Sequence, residues 1–364
     1  MKKEGSKILF IMQEATIGTH MDYVYEMARS LKEDEQFPIT LLLEKGRNEN
    51  HPEWVIGQKY TLPPLRFIEN ICFILTARFA GTKKFYIHYS FISAISAGLI
   101  TKIFGGTVYY WNCGMPWQYK RPWYVELYQK LAYKLIDVLV TGAESLRVPY
   151  TETYGLKSEQ IKIIPNWIDL ANLPKEASVL ELRKKYGLKD NSKVVLFVHK
   201  LAKRKGAHWL MPIMQELKDA NAQLLVVGDG PEEKQIKKDV TNLKLEDKIV
   251  LTGRLGREEV DRLYQLADVF LMPSEEEGSP HSLIEAMAYG VPCACFSVGG
   301  VPDTLPHNYK YQYKYGDMQG LADGMSTLIS SDAESLRVKI ELEAWVKNFD
   351  KTVAVHSFSK LLSE

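Results

Sequence analysis

Residues 268–297 read DVFLMPSEEEGSPHSLIEAMAYGVPCACFS, and this stretch decides the class of fold. Its two apolar runs, DVFLMPS and PCACFS, are short and continuous, which is typical of strands covered on both faces of a parallel sheet. Between them, Ser279 and Pro280 predict an N-cap and a first-turn proline for a helix that ends at Gly290. Strand, loop, helix and strand in this order indicate an α/β protein.

The same alternation occurs along the chain in two series. The first series of strands is KILFIM, ITLLLE, KFYIHY, GTVYYW and DVLVTG, and the second is KVVLFVHK, AQLLVVGDG, KIVLTG, DVFLMPS and PCACFS. The segment ANLPKEASV between them carries no strand pattern, and LKDNSK is a turn directly before the second series. Two series predict two doubly wound domains, residues 1–170 and 171–346, with a ligand cleft between them.

Composition excludes several classes of protein. Of the 364 residues 46% are hydrophobic and 25% are charged, as in ordinary globular proteins, and the net charge of +1 argues against a nucleic-acid partner. Cys72, Cys113, Cys293 and Cys295 have neither metal-ligand nor disulfide spacing, and Cys293 and Cys295 are expected in a buried strand. The N-terminal MKKEGSKILFIMQEA predicts a first strand rather than a signal peptide, and no apolar run approaches the ~20 residues of a membrane span. We therefore expect a cytoplasmic location, with any membrane contact peripheral.

Four glutamates lie around the start of the helix in the opening stretch. Glu275 and Glu276 are expected to be solvated charges, whereas Glu285 lies more than a turn inside the helix, where capping does not explain it. Glu285 is then either a solvent-facing residue or a ligand-binding one. Two carboxylates, Glu277 and Glu285, could each accept hydrogen bonds from a vicinal diol. The free N–H groups of the first turn could receive an anion between them.

A metal site is the weaker interpretation of this cluster. Divalent cations such as Mg²⁺ need clustered carboxylates, and the sequence offers no Asp-x-Asp pair. His281 lies beside the glutamates, but no spaced second histidine supports zinc. The sequence therefore predicts hydroxyl and phosphate recognition without a metal.

A basic loop follows the first strand of the second series. FVHKLAKRKGAHWL, residues 197–210, places Lys200 at the strand end and Lys203, Arg204 and Lys205 before Gly206. Such a loop can be a solvated basic surface. Its position at the carboxyl end of a strand, where α/β sheets bind ligands, favours neutralisation of a bound phosphate.

With its flanking residues, EEEGSPHSLIEAMAYGVPCACFSVGGVPD (275–303) resembles the signature of glycosyltransferase family 4, the retaining, nucleotide-sugar-dependent enzymes of GT-B fold. The match comprises the seven-residue gap between Glu277 and Glu285, the run EAMAYGVP, and the pair Gly299 and Gly300. The resemblance implies two Rossmann-like domains facing across a cleft. Residues 1–170 would bind the acceptor, residues 171–346 would bind the nucleotide sugar, and residues 347–364 would cross back onto the N-terminal domain.

The resemblance also implies roles for individual residues. Lys200 and Lys205 stand at the arginine and lysine of the family's G-R-L-x-x-x-K-G and would neutralise the leaving diphosphate. Glu277 would hold sugar hydroxyls, and Glu285 would hold the ribose diol. The remaining donor contacts would come from Gly18, Thr19, Arg254, Leu255, Gly278, Ser279, Pro280, His281, Ser282 and Leu283.

The chain departs from the family pattern at several positions. His199 stands where glycine is usual, and Lys200 replaces arginine, which supplies charge without a bidentate fork. Glu276 is close enough to replace Glu277 if the loop is shifted by one residue. In the N-terminal half, Trp111 and Asn112 lie where relatives often carry a histidine. His88 is either a substitute for that histidine or a core residue.

The resemblance implies a retaining transferase that moves a hexose-type sugar from a UDP- or GDP-sugar to a glycan or lipid-linked acceptor hydroxyl, in polysaccharide, lipopolysaccharide or glycoconjugate biosynthesis. No cofactor or metal is expected, because Lys200, Lys205 and the N–H groups at the helix start would stabilise the charge on the departing diphosphate. The leaving phosphate would itself accept the acceptor's proton, so no protein base is expected. CGMPWQYKRPWYVELYQKLAYKL (113–135) mixes aromatic and basic residues, so it is either a helix packed on the sheet or a face that contacts anionic lipid. The alternatives are a nucleotide-sugar epimerase, a sugar phosphorylase and a non-catalytic sugar-nucleotide-binding protein.

Overall fold

The protein is described by a computed structural model that covers residues 7–14, 22–46, 51–60, 62–174, 177–217 and 220–364. The chain divides into two compact units. Unit 1 comprises residues 1–165 and 352–364, and unit 2 comprises residues 166–351. The boundary therefore lies a few residues before the expected one after residue 170. Among the described residues, no helix combines the length and the apolar character that crossing a bilayer requires.

Unit 1 is built around a parallel sheet. Within its described residues the strands are β1 (Lys7–Met12), β2 (Ile39–Leu43), β3 (Val55–Gly57), β4 (Thr82–His88), β5 (Thr107–Trp111), β6 (Val138–Thr141) and β7 (Ile161–Ile163). They lie in the order β3-β2-β1-β4-β5-β6-β7, and the paired strands are parallel. The central strand β1 is buried from Ile8 to Met12, which explains its continuous apolar sequence.

Helices cover this sheet. They are α1 (Asp22–Glu33), α2 (Pro63–Phe79), α3 (Phe91–Phe104), α4 (Trp123–Leu135), α5 (Arg147–Tyr154) and α14 (Lys351–Ser363), with short 3₁₀ turns at Pro116–Gln118, Glu144–Leu146 and Ser158–Gln160. The C-terminal helix α14 packs on this sheet. The Phe358 ring lies 5.7 Å from the rings of both Tyr86 and Trp111, and Lys84 Nζ donates to the carbonyl of Leu362 at 2.6 Å.

Unit 2 has a second parallel sheet. Its strands are β8 (Lys193–Val198), β9 (Ala222–Val227), β10 (Ile249–Gly253), β11 (Val269–Met272), β12 (Cys293–Phe296) and β13 (Gln312–Tyr313). Within the described residues they lie in the order β10-β9-β8-β11-β12-β13. This is the strand order of the doubly wound nucleotide-binding fold, with its reversal between β8 and β11.

The helices of unit 2 pack on both faces of its sheet. They are α6 (Val179–Tyr186), α7 (Leu210–Glu216), α8 (Glu233–Asn242), α9 (Arg257–Leu266), α10 (His281–Ala288), α11 (Val301–Thr304), α12 (Met318–Ser330) and α13 (Asp332–Trp345), with 3₁₀ turns at Leu170–Asn172, Lys203–Lys205, Ala207–Trp209 and Val346–Phe349. The core includes Leu196, Phe270 and Met287, all at most 1% exposed. Cys293 and Cys295 lie in the buried strand β12, as predicted.

Every strand predicted from an apolar run is present. In the described part of the chain, the strands that the sequence did not predict are β3, β7 and β13, which are two or three residues long. β3 and β7 are the two edge strands of the first sheet, and β13 is an edge strand of the second sheet. Such short strands carry too few residues to show a pattern, so their pairing depends on the neighbouring strand.

Candidate active site

The candidate site lies where the strand order of unit 2 reverses. Strands β8 and β11 are neighbours in the sheet, although β9 and β10 come between them along the chain. The loop after β8 carries His199, Lys200 and Lys205, and the loop after β11 carries Glu277. Ligands of open α/β sheets bind outside the carboxyl ends of the strands at such a reversal.

Lys205 and Glu277 form a buried ion pair between these two loops. Lys205 Nζ lies 3.0 Å from Glu277 Oε2, and 10% and 5% of the two side chains are exposed. The same ammonium group donates to the carbonyl of Glu276 at 2.8 Å. Lys205 therefore holds both the side chain and the backbone of the acidic loop, and two of its three N–H donors are occupied.

The other carboxylate oxygen of Glu277 has two donors. Ser274 Oγ donates to Oε1 at 2.8 Å, and His199 Nε2 lies 3.1 Å from the same oxygen. Burial alone would raise the pKa of Glu277, but the charge of Lys205 and the contact with His199 hold this pKa well below its ordinary value. Glu277 is thus a buried and ionised carboxylate with a fixed orientation.

Glycine at position 206 allows the basic loop to approach the acidic one. Gly206 has φ +74, and a Cβ at this position would lie 1.9 Å from the carbonyl oxygen of Pro273. The loop after β8 therefore passes directly against the end of β11. Lys200 precedes this contact and has an exposed side chain, which leaves its charge available to an anion.

The helix α10 begins at His281 with Pro280 as its N-cap, so the prediction of Ser279 as N-cap is wrong. Ser279 Oγ instead accepts a hydrogen bond from the backbone N–H of Asn166 at 2.8 Å, which ties the loop to the first residue of unit 2. The hydroxyl is therefore engaged before the helix starts. The loop end and the first turn of α10 are largely covered: Ser279, Pro280 and Leu283 are buried, and Gly278, His281 and Ser282 are half-buried.

Glu285 is buried inside α10, so the solvent-facing interpretation of this residue is wrong. Its Oε1 accepts from the Arg257 guanidinium, and its Oε2 accepts from Tyr264 OH at 2.9 Å. Arg257 also pairs with Asp261, Nε to Oδ2, at 3.0 Å. The carboxylate of Glu285 is therefore oriented by the neighbouring helix α9.

Other predicted donor contacts lie at separate places. Arg254 and Leu255 directly follow β10, at the carboxyl edge of the same sheet, with Arg254 exposed and Leu255 half-buried. Gly18 and Thr19 lie outside the described residues. The structure thus brings Lys205 and His199 into contact with Glu277 and places Arg254 and Leu255 after another strand of the sheet, β10.

The expectation that Glu275 and Glu276 are solvated charges is wrong for Glu276. Glu276 is 7% exposed, and its Oε1 lies 3.7 Å from Arg204 Nη1. Glu275 is half-buried and accepts a hydrogen bond from Tyr315 OH at 2.5 Å. The basic loop folds over these glutamates, because the backbone N–H of Glu275 donates to the Arg204 carbonyl.

The corresponding strand ends of unit 1 carry aromatic residues. His88 is buried, and its ring is stacked on Trp111 with ring centroids 5.6 Å apart. Asn112 is also buried, and its Nδ2 donates to Tyr133 OH at 2.9 Å. These contacts favour the interpretation of His88 as a core residue.

Sequence reasoning missed Ser274, Arg257 and Tyr264, and it noted His199 only as a departure from the family pattern, without a role. Arg257, Asp261 and Tyr264 have the spacing of one helix face, which was a readable signal. The contact between His199 and Glu277 had no such signal, because it depends on which strands are neighbours. Within the described ranges, no three His, Cys, Asp or Glu side chains are grouped so as to hold a metal ion, and independence of metals stays a prediction.

Comparison with known protein families identifies a match within unit 2. A family model described as "Glycosyl transferases group 1" matches residues 178–345. N-acetyl-alpha-D-glucosaminyl L-malate synthase of Bacillus anthracis is 31% identical over 200 residues, which cover 54% of this chain and 51% of that protein. 2-deoxystreptamine glucosyltransferase of Streptomyces kanamyceticus is 35% identical over 155 residues, which cover 42% and 40%. The chain thus matches about half, or less, of the length of these relatives.

Solved structures resemble the chain over nearly its whole length. HepE of Anabaena, solved in complex with UDP and with UDP-glucose, has a TM-score of 0.80 at 18% identity and covers 98% of this chain and 99% of its own. At this identity the likeness concerns the fold alone. It confirms the predicted fold class, α/β of GT-B type with two Rossmann-like doubly wound domains.

Proposed function

We propose that this protein is a retaining glycosyltransferase of the family 4 type. It moves a hexose-type sugar from a UDP- or GDP-sugar to a hydroxyl of a glycan or lipid-linked acceptor, in polysaccharide, lipopolysaccharide or glycoconjugate biosynthesis. The observation that carries the proposal is the buried, ionised Glu277, held by Lys205 at the strand-order reversal of unit 2. The family match over residues 178–345 and the UDP-glucose complex of HepE support the class of donor.

In this proposal unit 2 binds the donor. Glu277 accepts a hydrogen bond from the sugar, Glu285 accepts from the ribose, and Arg254 and Leu255 contact the base. Lys200, which is exposed, and the remaining N–H of Lys205 stabilise negative charge on the departing diphosphate. Residues 278–283 line the phosphates. Contacts of Gly18 and Thr19 with the donor stay predictions, because both residues lie outside the described part of the chain.

The proposed reaction needs no protein base. The acceptor oxygen forms a bond to the anomeric carbon on the face from which the diphosphate leaves. The bond between that carbon and the phosphate oxygen breaks, and the acceptor proton passes to the leaving phosphate. Unit 2 then contributes orientation and electrostatic stabilisation, without a cofactor or metal.

We further propose that unit 1 contacts a membrane that carries the acceptor. Helix α4 presents an apolar surface, which we call the α4 surface, and its members are 38–77% exposed: Trp123, Tyr124, Leu127, Tyr128 and Leu131. Lys130 and Lys134 flank it and line a groove of about 340 Å³ with Tyr154 and Gly155. Exposed tryptophan, tyrosine and leucine beside lysines fit the interface of an anionic bilayer. The protein would act as a peripheral protein on the cytoplasmic face of such a membrane.

A panel of UDP-, GDP- and ADP-sugars, screened by thermal shift, tests the donor class. We expect a UDP- or GDP-sugar to raise the melting temperature, because a ligand that binds only the folded state stabilises it. NMR of the product then shows whether the anomeric configuration of the donor is retained. Conversion of the donor without an acceptor would indicate an epimerase. Phosphate-dependent shortening of a glycan would indicate a phosphorylase, and donor binding without turnover would indicate a non-catalytic protein. The absence of any shift would contradict the proposal.

A further inference from the structure

The side chain of His199 lies between a backbone N–H and the Glu277 carboxylate. The N–H of Lys200 donates to His199 Nδ1 at 2.8 Å, and His199 Nε2 lies 3.1 Å from Glu277 Oε1. A backbone N–H can only donate, so Nδ1 carries no proton and the ring proton lies on Nε2. His199 therefore donates a hydrogen bond to Glu277.

The backbone of His199 is itself held in place. Its N–H donates to the carbonyl of Val227 at 3.1 Å. Gly228 packs against its carbonyl, where a Cβ would lie 2.0 Å from the oxygen. The imidazole is therefore fixed both through its backbone and through Nδ1, and it is positioned before any ligand arrives.

The acceptor positions of Glu277 can be counted. A carboxylate offers about four lone-pair positions, two on each oxygen. Ser274 and His199 occupy both positions of Oε1, and Lys205 occupies one position of Oε2. Among the contacts of the described residues, this leaves one acceptor position, on Oε2.

We propose that His199 is a positioning residue that occupies one acceptor position of Glu277 and so limits this carboxylate to a single hydroxyl of the donor sugar. The inference deepens the proposed function and rests on it. A residue without a side chain at position 199 would leave Oε1 open to a second hydroxyl. With His199 in place, donor selectivity in this protein depends on one hydroxyl at Glu277 rather than on a vicinal diol.

The first test measures the tautomer and needs no ligand. In the full-length protein with ¹⁵N-labelled histidine, the His199 signal is assigned by its loss in H199Q. We expect a protonated Nε2 and an unprotonated Nδ1, with the Nε2 proton shifted in E277Q. A protonated Nδ1, or a Nε2 proton unchanged in E277Q, would overturn the proposal.

The second test measures selectivity with UDP-glucose, GDP-mannose and their single-deoxy sugar analogues. Among the analogues that lack a sugar hydroxyl near Glu277, we expect only one to show a lower kcat/KM with the wild type. The expected loss is about 10-fold or more. In H199A a second deoxy analogue should show a loss of similar size, because Oε1 is then open. H199Q should keep the wild-type profile, because the glutamine Nε2 can donate in place of the imidazole. H208A is the matched control, because His208 follows the same loop and its Nε2 lies 3.8 Å from Glu275 Oε1 rather than at Glu277.

The outcomes separate this inference from the proposed function. If the wild type binds none of these nucleotide sugars, the proposed function is contradicted, and so is the restriction of Glu277 to one sugar hydroxyl. The tautomer measurement still shows in that case whether His199 orients Glu277. A wild type that turns over a donor, together with an H199A profile identical to its own, contradicts the inference alone. A changed melting temperature with an unchanged analogue profile would also overturn it, since that is the signature of a structural role.

Discussion

Lys205 Nζ lies 3.0 Å from Glu277 Oε2, and at most a tenth of either side chain is exposed. Burial of two charges is unfavourable in itself and is offset here by their mutual attraction and by the hydrogen bond from Lys205 to the Glu276 carbonyl. Each residue therefore depends on the other. The pair joins the loop after β8 to the loop after β11, so it holds together the two loops of the proposed donor site.

Removal of Lys205 is expected to destabilise the protein. K205M leaves the Glu277 carboxylate buried without its cation, which costs about 3–5 kcal/mol of unfolding free energy. The matched control is K237M, because Lys237 pairs with Glu233 on an exposed helix surface, where a pair contributes about 0.5 kcal/mol or less. Urea unfolding of both variants measures the difference. Equal losses in the two variants would show that the Lys205–Glu277 pair is not buried as described.

The depressed pKa of Glu277 predicts a dependence of stability on pH. Because the native pKa lies below the ordinary value of 4.5, the unfolded chain binds the proton first as the pH falls. The stabilisation from ionised Glu277 is thus complete at neutral pH and declines as the pH falls below 4.5 towards the native pKa. E277Q should show a flatter decline than the wild type in urea unfolding over this range. If the unfolding free energies of E277Q and the wild type declined in parallel, the depressed pKa of Glu277 would be contradicted. The control is E258Q, because Glu258 is exposed, and it should decline as the wild type does.

Gly206 and Gly253 form a matched pair for backbone strain. Both have positive φ, +74 and +70, but a Cβ at Gly206 would lie 1.9 Å from the Pro273 carbonyl, whereas one at Gly253 would meet nothing within 4 Å. G253A should cost about 1–2 kcal/mol for the left-handed conformation alone. G206A should cost about 1–3 kcal/mol more, because the two loops of the site must separate. Thermal melts and donor titrations measure both effects, and equal melting temperatures would contradict the close approach.

The α4 surface predicts binding to anionic vesicles. L127E places a charge on this surface and should abolish co-sedimentation with vesicles of phosphatidylcholine and phosphatidylglycerol. The matched control is L180E, an equivalent change on α6 of unit 2, since Leu127 and Leu180 are 60% and 70% exposed. Wild-type binding should also weaken with added salt, because Lys134 contributes charge, whereas Lys130 is paired with Glu126 at 2.9 Å. Failure of the wild type to bind, or equal loss in L180E, would contradict the proposal.

Much of the fold could be predicted because buried parallel strands have continuous apolar sequences. β8 and β12 show this pattern fully, and both were found from the sequence. β3 and β13 lie at sheet edges and are too short to show any period. These two strands form by pairing with the strands next to them, and local sequence does not encode that pairing.

For the candidate site, residue spacing within one segment carried part of the information. Glu277 and Glu285 flank the start of α10 and both are buried, while their binding roles stay predictions. The contacts of His199 with Glu277 and of Arg257 with Glu285 join segments 78 and 28 residues apart. Those contacts depend on β8 lying beside β11 and on α9 lying beside α10. Glu276 was wrongly expected in solvent for the same reason, because the loop that covers it comes from β8.

A comparison of E277Q with E276Q tests most directly whether the Glu277 carboxylate holds the donor sugar. The two residues are adjacent and both buried, but the Glu277 carboxylate contacts Lys205 and His199, whereas that of Glu276 lies 3.7 Å from Arg204. The measurement is the rate of UDP or GDP release from the donor that stabilises the wild type, with the fold checked by thermal melt. We predict a loss of at least about 10-fold in E277Q and a change of at most a few-fold in E276Q. Normal release by E277Q, or a larger loss in E276Q, would contradict the assignment of Glu277 as the carboxylate that holds the donor sugar.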